Sequence, residues 1–128
     1  MTTTMKPITS AYIAKCMMGN AGMAGAPMVQ LALVVDPATH KVTGQVHASQ
    51  AIQGGNYTGM VHGTMYATGF GGMTQVVALT GMIHQDGPMP MEMPFMAHLA
   101  LNRDWDGTCG FSYGNVHVED APAKRMVG

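Results

Sequence analysis

The chain carries fifteen methionines, and four of them fall in the run Met89–Pro90–Met91–Glu92–Met93–Pro94–Phe95–Met96. A thioether is unbranched and polarizable. It can fill an irregular core, form an adaptable contact surface or, beside imidazole, hold a soft ion such as Cu(I). The neighbouring residues supply imidazole. If the fifth and sixth strands form a hairpin about the loop 85–94, one register sets Met82 opposite His98 and His84 opposite Met96. Cross-strand Cβ atoms are then about 4.5–5.5 Å apart, near enough to share an ion. Met89, Met91 and Met93 would hang over that end. A one-residue slip would remove the set. Soft-metal binding by Met82, His84, Met96 and His98 is therefore the alternative reading. The first reading is a contact surface in which the proline-stiffened Met89, Met91 and Met93, with Trp105, meet a protein or a small apolar ligand. Tyr66 and Phe70 could add anchors, and Trp105 could instead fold back on the end of the domain. No cofactor is expected.

Other reactive residues point away from catalysis. The chain has no G-x-S-x-G, P-loop, dinucleotide fingerprint or H-E-x-x-H. Asp104 and Asp106 flank Trp105 in a turn, where Asp side chains cap backbone N–H groups. Cys16 and Cys109 fall on apolar strand phases, where a thiol behaves as a small inert hydrophobe. In a closed barrel they could occupy neighbouring strands, so their pairing stays open. His47, His62, His98 and His117 lie on polar phases and suit a solvated sheet face. The expectation is a non-enzymatic protein.

The elements that position these residues repeat with period two. Tyr12, Ala14, Cys16 and Met18 share a face, followed by a Gly-rich loop to Pro27. Val29, Leu31, Leu33 and Val35 form the most apolar strand, and residues 36–41 a Pro-containing turn. Val42 to Ala48 and Tyr57 to Ala67 alternate in turn, then Val76 to His84. Three prolines and a glycine mark 85–94 as an irregular loop. Phe95 to Leu101 is a sixth strand and Cys109 to Tyr113 a seventh. Val116 and Val118 suggest a short eighth, with the tail loose from Asp120. Glycines 44, 59, 63 and 81 either leave room for an interior ligand or relieve crowding at sharp bends.

Seven to eight strands joined mostly by up-and-down hairpins describe an all-β, antiparallel small barrel or sandwich. A closed barrel hides its edges, which suits a chain with few charges to guard them. Residues 1–128 read as a single domain, its ordered core about 9–119 between flexible tails. Charged residues are 10% of the chain and apolar ones 47%. So low a charge fraction fits weakly charged faces or area hidden in a homo-oligomer. Net charge is -1 with no basic stripe, which argues against nucleic acid. No apolar run is long enough for a membrane helix. The N-terminus lacks the apolar segment of a signal peptide. A cytoplasmic location with reduced thiols is expected, with non-classical export left open.

An ordered set of residues resembles a known family. It comprises Gly25–Ala26–Pro27, Leu31–Ala32–Leu33–Val34–Val35, Val42–Thr43–Gly44 and Gln50–Ala51–Ile52. Gly63–Thr64, His98–Leu99–Ala100–Leu101, Asp104–Trp105 and Gly107 complete it. The set spans roughly residues 11 to 113 and resembles domain of unknown function 1842, a family of small bacterial proteins. The resemblance implies a β-rich fold and brings no established activity or catalytic residue.

Overall fold

Alternation of apolar and polar residues drives each segment into an extended strand with one face to bury. In the computed structural model, which describes residues 10–20, 23, 25–49, 56–68, 71, 74–85 and 91–126, this pattern yields eight strands. They are β1 (Tyr12–Met18), β2 (Met28–Asp36), β3 (Lys41–Ser49), β4 (Asn56–Ala67), β5 (Gln75–Gln85), β6 (Glu92–Leu101), β7 (Gly107–Tyr113) and β8 (Val116–Arg125). All pairings are antiparallel between consecutive strands, and β8 returns to β1, closing an up-and-down barrel. Of the two expected architectures, the barrel is the one formed.

The inward phases are Leu31, Leu33 and Val35 on β2, Val42 and Val46 on β3, Leu79 and Ile83 on β5, and Phe95, Leu99 and Leu101 on β6. Met18 and Met65, read as core from their strand phase, are buried. Apolar side chains thus fill the interior, while Thr, Gln and His face outward together with exposed Ile13, Val34, Met60, Val76, Met82 and Met96.

Inward glycines sit where the backbone of a neighbouring strand approaches closely. A Cβ on Gly44 would fall on the Ala32 carbonyl oxygen, and one on Gly63 on that of Ala78. Gly59 and Gly81 face the carbonyls of Met82 and Met60 in the same way. The space a Cβ would need at these glycines is taken up by neighbouring backbone.

Aromatic residues plug both ends. At one end Trp105 lies edge-on to Tyr12, with ring centroids 6.4 Å apart. Its Nε1–H donates to Tyr12 Oη at 3.4 Å, and that hydroxyl donates to Met65 Sδ at 3.7 Å. At the other end Tyr113 packs against Tyr57, Phe95 and Phe111.

Two segments depart from the sequence reading. The chain is not loose beyond Asp120: β8 continues to Arg125 and buries Ala121 and Ala123. Its inward phase is even-numbered at Val116 and Val118 and odd-numbered from Ala121. The change follows a register shift opposite Cys109–Phe111, with Asp120 in the left-handed region at φ 54°. Such a bulge hides the continuing strand from any period-two pattern. The second departure is β6, which begins at Glu92 and so includes Pro94, expected in the loop. Pairing to β7 begins only at Phe95–Tyr113. Pro94 therefore lies where one side of β6 is unpaired, a position that tolerates a missing N–H.

Candidate functional site

Hairpin register decides what the methionines and histidines can do together. β5 and β6 pair Ala78 with His98, Thr80 with Met96, Met82 with Pro94 and His84 with Glu92. The expected register, Met82 against His98 and His84 against Met96, is not formed. Each pair is displaced by four residues along β6, about 13 Å at ordinary strand rise. Met82, His84, Met96 and His98 do share the outer face, but the proposed ion-sharing pairs are apart. Among the described residues, no group of three or more His, Cys, Asp or Glu side chains is arranged to hold a metal ion.

The contact-surface residues also separate. Met89 lies outside the described residues. Met91 is exposed, and its carbonyl accepts the Gln85 N–H at 3.0 Å. Met93 is not a loop residue: it stands on β6, half-buried against the core. Trp105 is 4% exposed, so it closes the barrel end and presents no ring to a partner. Its turn is built by Asn102 Oδ1, which accepts the N–H groups of Asp104 at 2.8 Å and Asp106 at 3.0 Å. Asp106 Oδ1 accepts the Arg125 N–H at 2.9 Å, tying the turn to β8. Tyr66 is exposed and stacks on His40, and Phe70 lies outside the described residues.

Cys16 and Cys109 are buried free thiols. They stand on β1 and β7 with β8 between them, so they are not on neighbouring strands. Burial pushes the Cys16 thiol up to about 12 and the Cys109 thiol to about 11, which leaves both inert as nucleophiles. Burial, then Tyr57, pushes the Tyr113 phenol up to about 12. Its Oη is buried, and among the described residues nothing hydrogen-bonds it.

What the fold does assemble is an outer surface. Cross-strand rows run Thr43–His62–Thr80–Met96 and Gln45–Met60–Met82–Pro94 over β3 to β6. Met60 is 61% exposed, Met82 49% and Met96 59%. Residues 42–85 contain no Asp, Glu, Lys or Arg, so among the described residues the outer face of β3 to β6 carries no carboxylate, Lys or Arg between Lys41 and Glu92. Beside Met96 it runs into a groove of about 430 Å³ lined by Thr80, His98, Ser112, His117 and Glu119. There Glu119 bridges two imidazoles, with His117 Nε2 at 3.2 Å and His98 Nε2 at 3.4 Å. Gly110 lets the pair close up, because a Cβ there would press on the His98 ring and Glu119.

Sequence reasoning missed both features. The Glu119 bridge lies beside the bulge that hid the rest of β8. The uncharged face had a legible signal, the charge-free stretch 42–85, but only the register shows that its outward residues adjoin.

No curated protein matches the chain. A family profile described as a domain of unknown function (DUF1842) matches residues 9–117. That segment holds β1 to β7, the start of β8 and the whole uncharged face, and on this match the chain belongs to the DUF1842 family.

Proposed function

We propose that this barrel is a non-enzymatic binding module whose working surface is the outer face of β3 to β6. The observation that carries the reading is an uncharged sheet face holding Met60, Met82 and Met96, each about half exposed or more. Methionine adapts to a partner's contour and is enriched at interfaces. A closed barrel has no free edge for strand addition, so recognition falls to side chains on the faces. Raised thiol pKa values at Cys16 and Cys109 and the turn-building role of Asn102 and Asp106 fit a scaffold better than an active site. The soft-metal alternative lacks its constellation in the observed register.

Methionine itself supplies the test. Brief peroxide treatment followed by mass spectrometry reads the accessibility of each thioether. Buried Met18 and Met65 and exposed Met23 and Met91 serve as internal references. The reading expects Met60, Met82 and Met96 to become protected when the protein engages its partner, with Met23 and Met91 unchanged. Equal oxidation of Met23, Met60, Met82, Met91 and Met96, in pure protein and in extract of the cells it comes from, would remove the reading.

A further inference from the structure

Resting on that reading, the geometry points to a second copy of this chain as the occupant of the uncharged face, the two barrels lying side by side and antiparallel. Following paired residues once round the barrel, from Tyr12 through Val35, Val42, Gly63, Leu79, Ala97, Phe111 and Val118, returns to β1 about ten residues further along. The strands therefore tilt about 40° to the barrel axis. On a surface tilted in this sense one diagonal of residues runs along the barrel and the other wraps round it. Lys41 and Glu92 stand six residues apart along the strands, since Lys41 pairs with Thr64 and so aligns with Ala78 and His98. That is about 20 Å along the strands and, over three strand spacings, about 14 Å across them. At the observed tilt these components nearly cancel around the circumference and add along the axis.

Lys41, His62, Met82 and Glu92 thus form one stave, parallel to the barrel axis and about 25 Å long. All four are exposed. Lys41 lies at the Trp105 end, since the neighbouring His40 carbonyl accepts the Met65 N–H beside the Tyr12–Trp105 plug. Glu92 lies at the Tyr113 end. The stave has a cation at one end, an anion at the other and no carboxylate, Lys or Arg between them.

A twofold axis across the middle of such a stave makes it self-complementary. Lys41 of each copy then meets Glu92 of the other, His62 meets Met82, and Met60 and Thr80 flank the axis. Along the stave itself no like charges are brought together, while Asp36, one strand over from Lys41, comes near the partner's Glu92. Asp36, which pairs with Lys41 across the ladder, accepts the Ala38 N–H at its Oδ1. Two convex barrels touch along a strip about five staves wide, roughly 500 Å² per copy from strand spacings. A total near 1,000 Å² lies at the low end of specific interfaces. The dimer should therefore dissociate on dilution in the micromolar range.

Sedimentation velocity of the full chain over a 1,000-fold concentration range tests this, with Lys41→Glu, Glu92→Lys and the double reversal compared with wild type. The expected result is a monomer–dimer equilibrium weakened about tenfold by either single reversal, because each loses both symmetric pairs, and largely restored by the double. In addition, Met60→Cys should form a reducible intermolecular disulfide. A monomer at every concentration, or a dimer indifferent to the single reversals, overturns the inference. Methionine footprinting then separates the two levels. Protection of Met60 and Met82 in cell extract while the pure chain stays monomeric would sink the second copy and keep the face. No protection in either setting would sink both.

Discussion

Removing the Trp105 ring should cost this protein much of its stability, and replacing it by glycine should cost less than replacing it by alanine. Two effects set the magnitude. The ring is 4% exposed and rests edge-on against Tyr12. Truncating a buried aromatic to alanine costs about 3–5 kcal/mol. Against this, Trp105 is held at φ 65°, where a side chain with a Cβ is strained by about 1–2 kcal/mol. Alanine keeps that strain and loses the packing, whereas glycine loses the packing and sheds the strain. Trp105→Ala should thus lose about 4 kcal/mol and Trp105→Gly about 1 kcal/mol less, out of a total of about 5–15 kcal/mol for a domain of ordinary stability. Urea unfolding followed by far-ultraviolet circular dichroism measures both. In the wild type the single tryptophan reports the same transition by fluorescence, with a blue-shifted native emission. A loss under 1 kcal/mol for Trp105→Ala would refute the plug. A glycine variant weaker than the alanine variant would refute the strain argument.

Further expectations concern the scaffold. Gly63→Ala should cost about 3 kcal/mol, because its Cβ would fall on the Ala78 carbonyl. Gly71→Ala, strained by its φ of 55° but facing open space, should cost about 1 kcal/mol; thermal melts of the two variants give the comparison. Ending the chain after Glu119 removes Ala121 and Ala123 and the whole seam to β1, so cooperative unfolding should disappear from calorimetry even though the family match ends at residue 117. Alkali should destabilise the fold: an unfolded thiol ionises near 9.0, whereas Cys16 waits until about 12 and Cys109 until about 11. Stability present below pH 9 is therefore lost as pH rises through that window, and Cys16→Ala should reduce the slope of stability against pH. A thiol reagent at pH 8 should label neither cysteine until denaturant is added.

Period-two alternation made β1 to β7 legible, along with the inward phases that bury Met18, Met65, Cys16 and Cys109, because one-sided burial writes itself into every second residue. β8 was half legible, since the bulge at Asp120 switches the inward phase and a pattern cannot follow the switch. Pro94 concealed the start of β6, because a proline in a strand is readable only when its unpaired side is known. The candidate site was least legible. Whether Met82 meets His98 or Pro94 depends on the hairpin register between β5 and β6, and alternation is blind to displacements by an even number of residues. The charge-free run 42–85 was in plain view, but its meaning depends on β3, β4 and β5 being spatial neighbours.

The accessibility of Met60, Met82 and Met96 reports contact at the face of β3 to β6 most directly. Peroxide footprinting of the wild-type chain across a dilution series should show all three protected at high concentration and released on dilution, while Met23 and Met91 oxidise at one rate throughout. Five exposed methionines oxidising alike at every concentration and in cell extract would contradict the claim that the face of β3 to β6 is where this protein makes contact.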